Sequence, residues 1–201
     1  INDVTTIWGG GTYWDLSLTK GTPWFGSAWV NDPDLLGFDI DFHKINGLLS
    51  WSKKIHQFDI FSVNYDLTAS FQYSKDVLVS DQNISIGDEY SVRGFKEDSI
   101  SGNNGGYISN TVKFPFYINK FSGVSIVPFA GYDLGYVKNN CSHYVNNCSG
   151  EFISGGAVGL RLNQQYLSSS LSAGWPITKP KSLRSREVDS VAVYYRIGLN
   201  F

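Results

Sequence analysis

Between Phe61 and Tyr73 the chain alternates without a break. Phe61, Val63, Tyr65, Leu67, Ala69, Phe71 and Tyr73 are apolar, and Ser62, Asn64, Asp66, Thr68, Ser70 and Gln72 between them are polar. A period of two places one set on each face of a pleated strand, so this segment must sit between oil and water. The pattern recurs at Val191, Val193, Tyr195, Ile197 and Leu199, and more weakly at Leu167, Leu171, Ala173 and Trp175. Helical periodicity is nearly absent, and the residues carrying the alternation are the β-branched and aromatic ones that fit a pleated surface. The chain is therefore expected to be all-β.

Eight strands are predicted, at 4–19, 38–53, 58–73, 106–118, 124–138, 151–163, 165–177 and 190–201. They exceed the roughly 5 to 6 residues of an ordinary strand and reach the roughly 9 to 11 that a tilted strand needs to cross a hydrocarbon layer. The connections alternate between long (20–37, 74–105, 139–150, 178–189) and short (54–57, 119–123, position 164). Long loops at one end and tight turns at the other are the pattern of an antiparallel transmembrane β-barrel. A soluble sandwich or lipocalin-like barrel would also alternate, but its water-facing set would carry more Lys and Glu. Here that set is Ser, Asn, Thr, Gly and Gln, which suits a hydrated lumen. Tyr13, Trp14, Trp51, Tyr73, Tyr136 and Trp175 fall near strand ends, where aromatic girdles form.

Composition removes other classes. A net charge of -2 leaves no basic footprint for nucleic acid, and no apolar run approaches the roughly 18 residues of a transmembrane helix. The sequence opens at Ile1 without a basic n-region and apolar h-region. The expectation is a cleaved leader or a piece of a longer protein.

The stretch Tyr90-Ser91-Val92-Arg93-Gly94-Phe95, with Ser101-Gly102 and Gly105-Gly106-Tyr107 downstream to Asn110, resembles the sixth extracellular loop and following strand of the two-partner secretion transporters, the TpsB family. Similarity extends to Asp15 through Pro23, Gly131-Tyr132-Asp133-Leu134-Gly135, Ala157 through Leu162 and Gly174-Trp175-Pro176. Hemolysin, adhesin and contact-dependent toxin exporters belong to this family. The resemblance implies two periplasmic POTRA domains before a barrel of sixteen strands. The eight strands here would be its second half, and residues 1–201 the C-terminal barrel region without POTRA domains or first half. It implies a bacterial outer-membrane protein that moves a large unfolded TpsA-type exoprotein from periplasm to surface, without cofactor. Two other readings stay open: a barrel-assembly factor of the same superfamily, or a stand-alone small barrel serving as adhesin or enzyme.

The resemblance also assigns the loop motif Val92, Arg93, Gly94 and Phe95, with the arginine folded back onto an acid of the inner wall. Asp133 is the matching acid. Alternation supports this independently, because Val124, Ile126, Ala130, Tyr132, Leu134 and Tyr136 form an apolar face and leave Asp133 opposite, between Gly131 and Gly135. Where such relatives usually carry Asn-Glu, this chain has Asn110-Thr111. Gly102, Asn103, Asn104, Gly105 and Gly106, which tolerate positive φ, are expected to turn the loop back toward the wall. Tyr195, Ile197, Leu199 and the terminal Phe201 resemble the β-signal by which the barrel-assembly machinery recognises a client, before it enters outer-membrane lipid. Cys141 and Cys148 lie in a predicted outer loop assembled through an oxidising compartment, so a disulfide is expected. His143 between them matches no zinc spacing. Three histidines, His43, His56 and His143, fall in a strand, a turn and an outer loop. Catalytic groups must converge, and neither a Gly-x-Ser-x-Gly elbow nor a phosphate loop at Gly9-Gly10-Gly11 emerges, so no catalytic set and no metal are expected.

Overall fold

The computed structural model describes residues 1–23, 37–95, 98–119, 124–141, 148–183 and 190–199. Its strands are β1 (Asn2–Ile7), β2 (Gly10–Lys20), β3 (His43–Gln57), β4 (Ser62–Ser74), β5 (Ile84–Ile86), β6 (Ile100–Gly102), β7 (Asn104–Lys113), β8 (Phe116–Asn119), β9 (Val124–Lys138), β10 (Gly150–Asn163), β11 (Leu167–Thr178) and β12 (Ala192–Leu199). All but β5 and β6 join one antiparallel sheet in the order β1-β2-β3-β4-β7-β9-β10-β11-β12, with β8 also on β9. Among the described residues β1 and β12 do not pair with each other, so the sheet is an open part of a barrel wall rather than a closed eight-stranded barrel.

The first predicted strand, 4–19, is a hairpin. Trp8 at φ 51° and Gly9 at φ 74° make a two-residue turn, after which β1 and β2 pair from Ile7↔Gly10 to Asn2↔Asp15. Successive positive φ values match the twist of the flanking strands, which is why tight hairpins favour them. The wall therefore has nine neighbouring strands among the described residues, not eight, the first of them only six residues long. The added turn lies at the short-turn end, so the alternation of long and short connections is unbroken.

Other boundaries move as well, and β3 begins at His43 rather than at 38. The β3–β4 turn is at 58–61, closed by Phe58 N–H donating to the Phe61 carbonyl at 2.8 Å, and not at 54–57. A register shift between Lys54 and His56 lets β3 continue through its charged residues. The predicted strand 106–118 is broken at Phe114-Pro115, because Pro115 has no N–H for the ladder. Both pieces, β7 and β8, pair with β9.

Register identifies the faces. Asp133 pairs with Ser109, Tyr107 with Ser70, Ser70 with Leu48, and Leu48 with Asp15. In the other direction Asp133 pairs with Gly155, Ala157 with Gly174, and Ser172 with Tyr194. The long 75–103 connection folds back over this face, termed here the loop face. Tyr13, two residues from Asp15, belongs to it, so Tyr13 and Trp14 cannot both serve an outer girdle. The opposite, outer face carries Leu16, Phe71, Ile108, Tyr132, Val158, Leu171 and Tyr195, all exposed. A contiguous apolar face of this kind calls for a non-aqueous environment.

The buried hydrophobic cluster lies on the loop face: Ile86, Val92, Phe95 and Ile100 from the connection pack with Val137, Ile153 and Leu183. The connection is not irregular throughout, since β5 and β6 form a small two-stranded sheet of their own.

Candidate functional site at the loop tip

The tip of the 75–103 connection is shaped by its own side chains. Asp88 Oδ1 accepts hydrogen bonds from the backbone N–H of Tyr90 (2.9 Å) and of Ser91 (2.8 Å), an Asx turn. Ser91 Oγ donates to the same carboxylate at 2.8 Å and accepts from the Gly87 N–H at 3.0 Å. Gly87 at φ 112° and Gly94 at φ 102° bracket the tip in backbone conformations that side chains resist.

This turn aims Arg93 at the wall. Its Nε donates to Asp133 Oδ2 at 2.7 Å and its Nη2 to Asp133 Oδ1 at 2.7 Å, a bidentate pair. The Arg93 backbone N–H donates to the same Oδ2 at 3.1 Å. Ser109 Oγ donates to Asp133 Oδ1 at 2.7 Å, so both carboxylate oxygens carry more than one donor. Nη2 also donates to the Asn110 carbonyl and the Thr111 hydroxyl, each at 3.1 Å. Thr111 thus contributes an acceptor to the guanidinium. Asp133 is fully buried and Arg93 is 8 % exposed. Breaking a buried pair of this kind by removing one member costs about 3–5 kcal/mol, because the other is left charged and unpaired.

Close approach depends on missing side chains. A Cβ on Gly131 would overlap the Arg93 guanidinium, and one on Gly155 would overlap the Arg93 carbonyl oxygen. A Cβ on Gly174 would come within 2.9 Å of the Gly94 nitrogen, and one on Gly94 would strike the Trp175 backbone. The tip therefore rests on a strip of bare backbone crossing β9, β10 and β11. Phe95, 1 % exposed, anchors its far side.

Gly102, Gly105 and Gly106 do not take positive φ, contrary to the expectation that they turn the loop. At Gly105 the requirement is closeness, since a Cβ would meet the Tyr136 carbonyl oxygen at 2.5 Å. The return is held by an amide network: Asn103 Oδ1 accepts from Asn140 N–H at 2.7 Å, and Asn104 Nδ2 donates to Asn140 Oδ1 at 2.7 Å. Asn140 Nδ2 donates to the Ser74 carbonyl of β4 at 3.0 Å and to the Asp76 carbonyl at 2.8 Å, tying the 75–103 and 139–149 connections together. Beside it Cys141 and Cys148 are joined in a disulfide.

Tyr195, Ile197 and Leu199 lie on the outer face of β12, exposed; Phe201 lies outside the described residues, as does His143. His43 and His56 stand at opposite ends of β3, about 44 Å apart along an extended strand. They do not converge with each other or with Asp133.

Alternation pointed to Asp133 and the motif to Arg93. Ser109, Thr111, Gly155 and Gly174 were missed. Ser109 could have been found from register, as the loop-face residue opposite Asp133.

Comparison with known proteins adds lineage to this geometry. Residues 1–162 match the family model for the haemolysin secretion/activation proteins ShlB/FhaC/HecB. The outer membrane transporter CdiB of Dickeya dadantii is 29% identical over 201 residues, covering 100% of this chain and 34% of that protein. The hemolysin transporter protein HpmB of Proteus mirabilis is 32% identical over 176 residues, covering 85% of this chain and 29% of HpmB. The solved structure of CdiB from Escherichia coli superposes with a TM-score of 0.83 at 28% identity, over 100% of this chain and 35% of that one. The chain spans about a third of the length of these relatives.

Proposed function

The chain belongs to the haemolysin secretion/activation family, and from that premise we propose that it is the C-terminal barrel region of a bacterial outer-membrane transporter, lacking the POTRA domains and the first half of the wall. The whole protein exports a large, unfolded TpsA-type partner from the periplasm to the cell surface. The relatives named above are transporters, and this chain is likewise a conduit rather than an enzyme. The outer face with Leu16, Phe71, Val158 and Leu171 meets lipid. The Tyr195, Ile197, Leu199 and Phe201 series is read by the assembly machinery during insertion.

The observation that carries the reading is the buried bidentate pair between Arg93 and Asp133 at the tip of a loop lying across the inner wall. A surface loop has no need of such a pair. A loop that must occupy the conduit in a defined position, and leave it when a client passes, does. Arginine supplies a directed two-point clamp, whereas lysine would supply only a point charge. The small polar residues of the loop face, Ser70, Ser109, Ser170 and Ser172, give a passing chain hydrogen-bonding partners without sticky apolar walls.

The test is Arg93→Ala in the full-length protein, expressed with its TpsA-type exoprotein. Export to the medium or cell surface is expected to fall at least ten-fold, while outer-membrane level and heat-modifiable migration stay at parental values. Parental export by a correctly assembled variant would refute the clamp's role.

A further inference from the structure

Arg93 is not the loop's only charged attachment. Four residues earlier, Glu89 Oε2 accepts from Arg196 Nη2 at 2.9 Å, and the Tyr90 hydroxyl accepts from the same nitrogen at 2.6 Å. The Arg196 guanidinium carbon also lies over the Tyr90 ring, 5.1 Å from its centroid. Arg196 belongs to β12, the last strand of the described sheet, and pairs with Ser170, which pairs in turn with Arg161. All three side chains are on the loop face. The tip therefore reaches from Asp133 on β9, across Gly155 and Gly174, to Arg196 on β12.

We propose that Arg196 is a second positioning residue for the loop tip, holding the Glu89–Tyr90 shoulder against β12 so that the loop bridges four neighbouring strands. This rests on the reading above, in which the tip's placement governs export. The two anchors differ in kind. Arg93 and Asp133 are buried and their attraction is shielded from salt. The Arg196 side chain is half exposed and that of Glu89 about three-tenths exposed, so their pair is screened and weak by comparison. The shoulder anchor is thus the one that yields first, and a mobile anion or a carboxylate of a passing chain competes for it at little cost. Tyr90 strengthens it by adding a hydroxyl acceptor and a ring face to one guanidinium.

The experiment reads tip position directly rather than export. In the full-length protein in liposomes, Val92→Cys places a thiol at a buried position of the tip, with Cys141 and Cys148 already joined to each other. Maleimide labelling then proceeds only when the tip lifts. Arg196→Glu should raise the labelling rate by about two- to five-fold, the range of an exposed pair. The reversed pair Glu89→Arg with Arg196→Glu should return it to within about two-fold of the parent, and 1 M NaCl should raise the rates of the parent and of the reversed pair but not that of Arg196→Glu alone. Arg196→Gln provides the same reading if charge reversal prevents assembly. Equal rates for the parent and both Arg196 variants, or no recovery in the reversed pair, overturn the proposal whatever export does. Faster labelling with unchanged export would support the anchor and instead count against the tip's role in transport.

Discussion

Arg93→Lys isolates the geometry of the clamp from its charge. Lysine keeps a cation beside Asp133 but cannot present two parallel N–H groups, so it forfeits at least one of the two 2.7 Å bonds and the contacts to the Asn110 carbonyl and Thr111 hydroxyl. A hydrogen bond to a charged partner contributes about 1.5–3 kcal/mol net. Losing one shifts the closed-to-open equilibrium of the tip by roughly ten- to a hundred-fold, since about 1.4 kcal/mol is tenfold. The assay is the rate of maleimide labelling at Val92→Cys under conditions where opening and reclosing are fast compared with reaction, so that the rate reports the open fraction. Labelling in the Arg93→Lys background should be faster by that factor, and export should fall while the barrel still assembles. If lysine kept the parental rate, the tip would be held by charge alone or by packing, and the argument from bidentate geometry would fail.

The remaining predictions concern packing. Gly155→Ala should lift the tip without unfolding the wall, because the added methyl overlaps the Arg93 carbonyl oxygen; Gly11→Ala, which meets nothing within 4 Å, is the control. The expected readout is faster labelling at Val92→Cys for the first and parental labelling for the second, with equal heat-modifiable migration. Phe95→Ala removes a ring that is 1 % exposed and should cost the closed loop about 3–5 kcal/mol, read as protease cleavage within 75–103 at enzyme levels that leave the parent intact.

Where a single strand's pattern determined the answer, the sequence was legible. Asp133 sits in an unbroken alternation from Ala130 to Tyr136, so its face followed from counting. Where two conformations share one composition, it was not. Gly9-Gly10-Gly11 fits a strand interior or a turn equally well, and the choice was made by the pairing of β1 with β2 across Trp8-Gly9. Residues 54–57 read as a turn, yet they continue β3, since a strand reaching beyond the sheet's covered part meets water with its charged residues too. The glycines at 155 and 174 gave no signal, because what they accommodate comes from a loop about sixty to eighty residues away in sequence. Arg196 was hidden for the same reason. Its neighbours in sequence alternate as any final strand does, and its partner Glu89 lies 107 positions away.

How far the loop moves is constrained by where the buried cluster lies. Ile86, Val92, Phe95 and Ile100 all come from the 75–103 connection and pack on Val137 and Ile153 of the wall. Expelling the whole connection into water would expose at least these four large apolar side chains, at about 1.5–3 kcal/mol each, or roughly 6–12 kcal/mol, with buried Val77 and Leu78 besides. That rivals the whole stability of a typical domain, so spontaneous full expulsion is negligible. Lifting residues 88–94 alone requires parting the Arg93–Asp133 pair and the Glu89–Arg196 pair and exposing Val92, while Ile86, Ile100 and the Phe95 ring stay seated. The glycines at 87 and 94, both at positive φ, stand at the two ends of that segment, where backbone rotation meets least resistance. Passage of a client by displacement of the tip is therefore much the cheaper route, and wholesale removal of the loop would require the client to replace the apolar contacts it displaces.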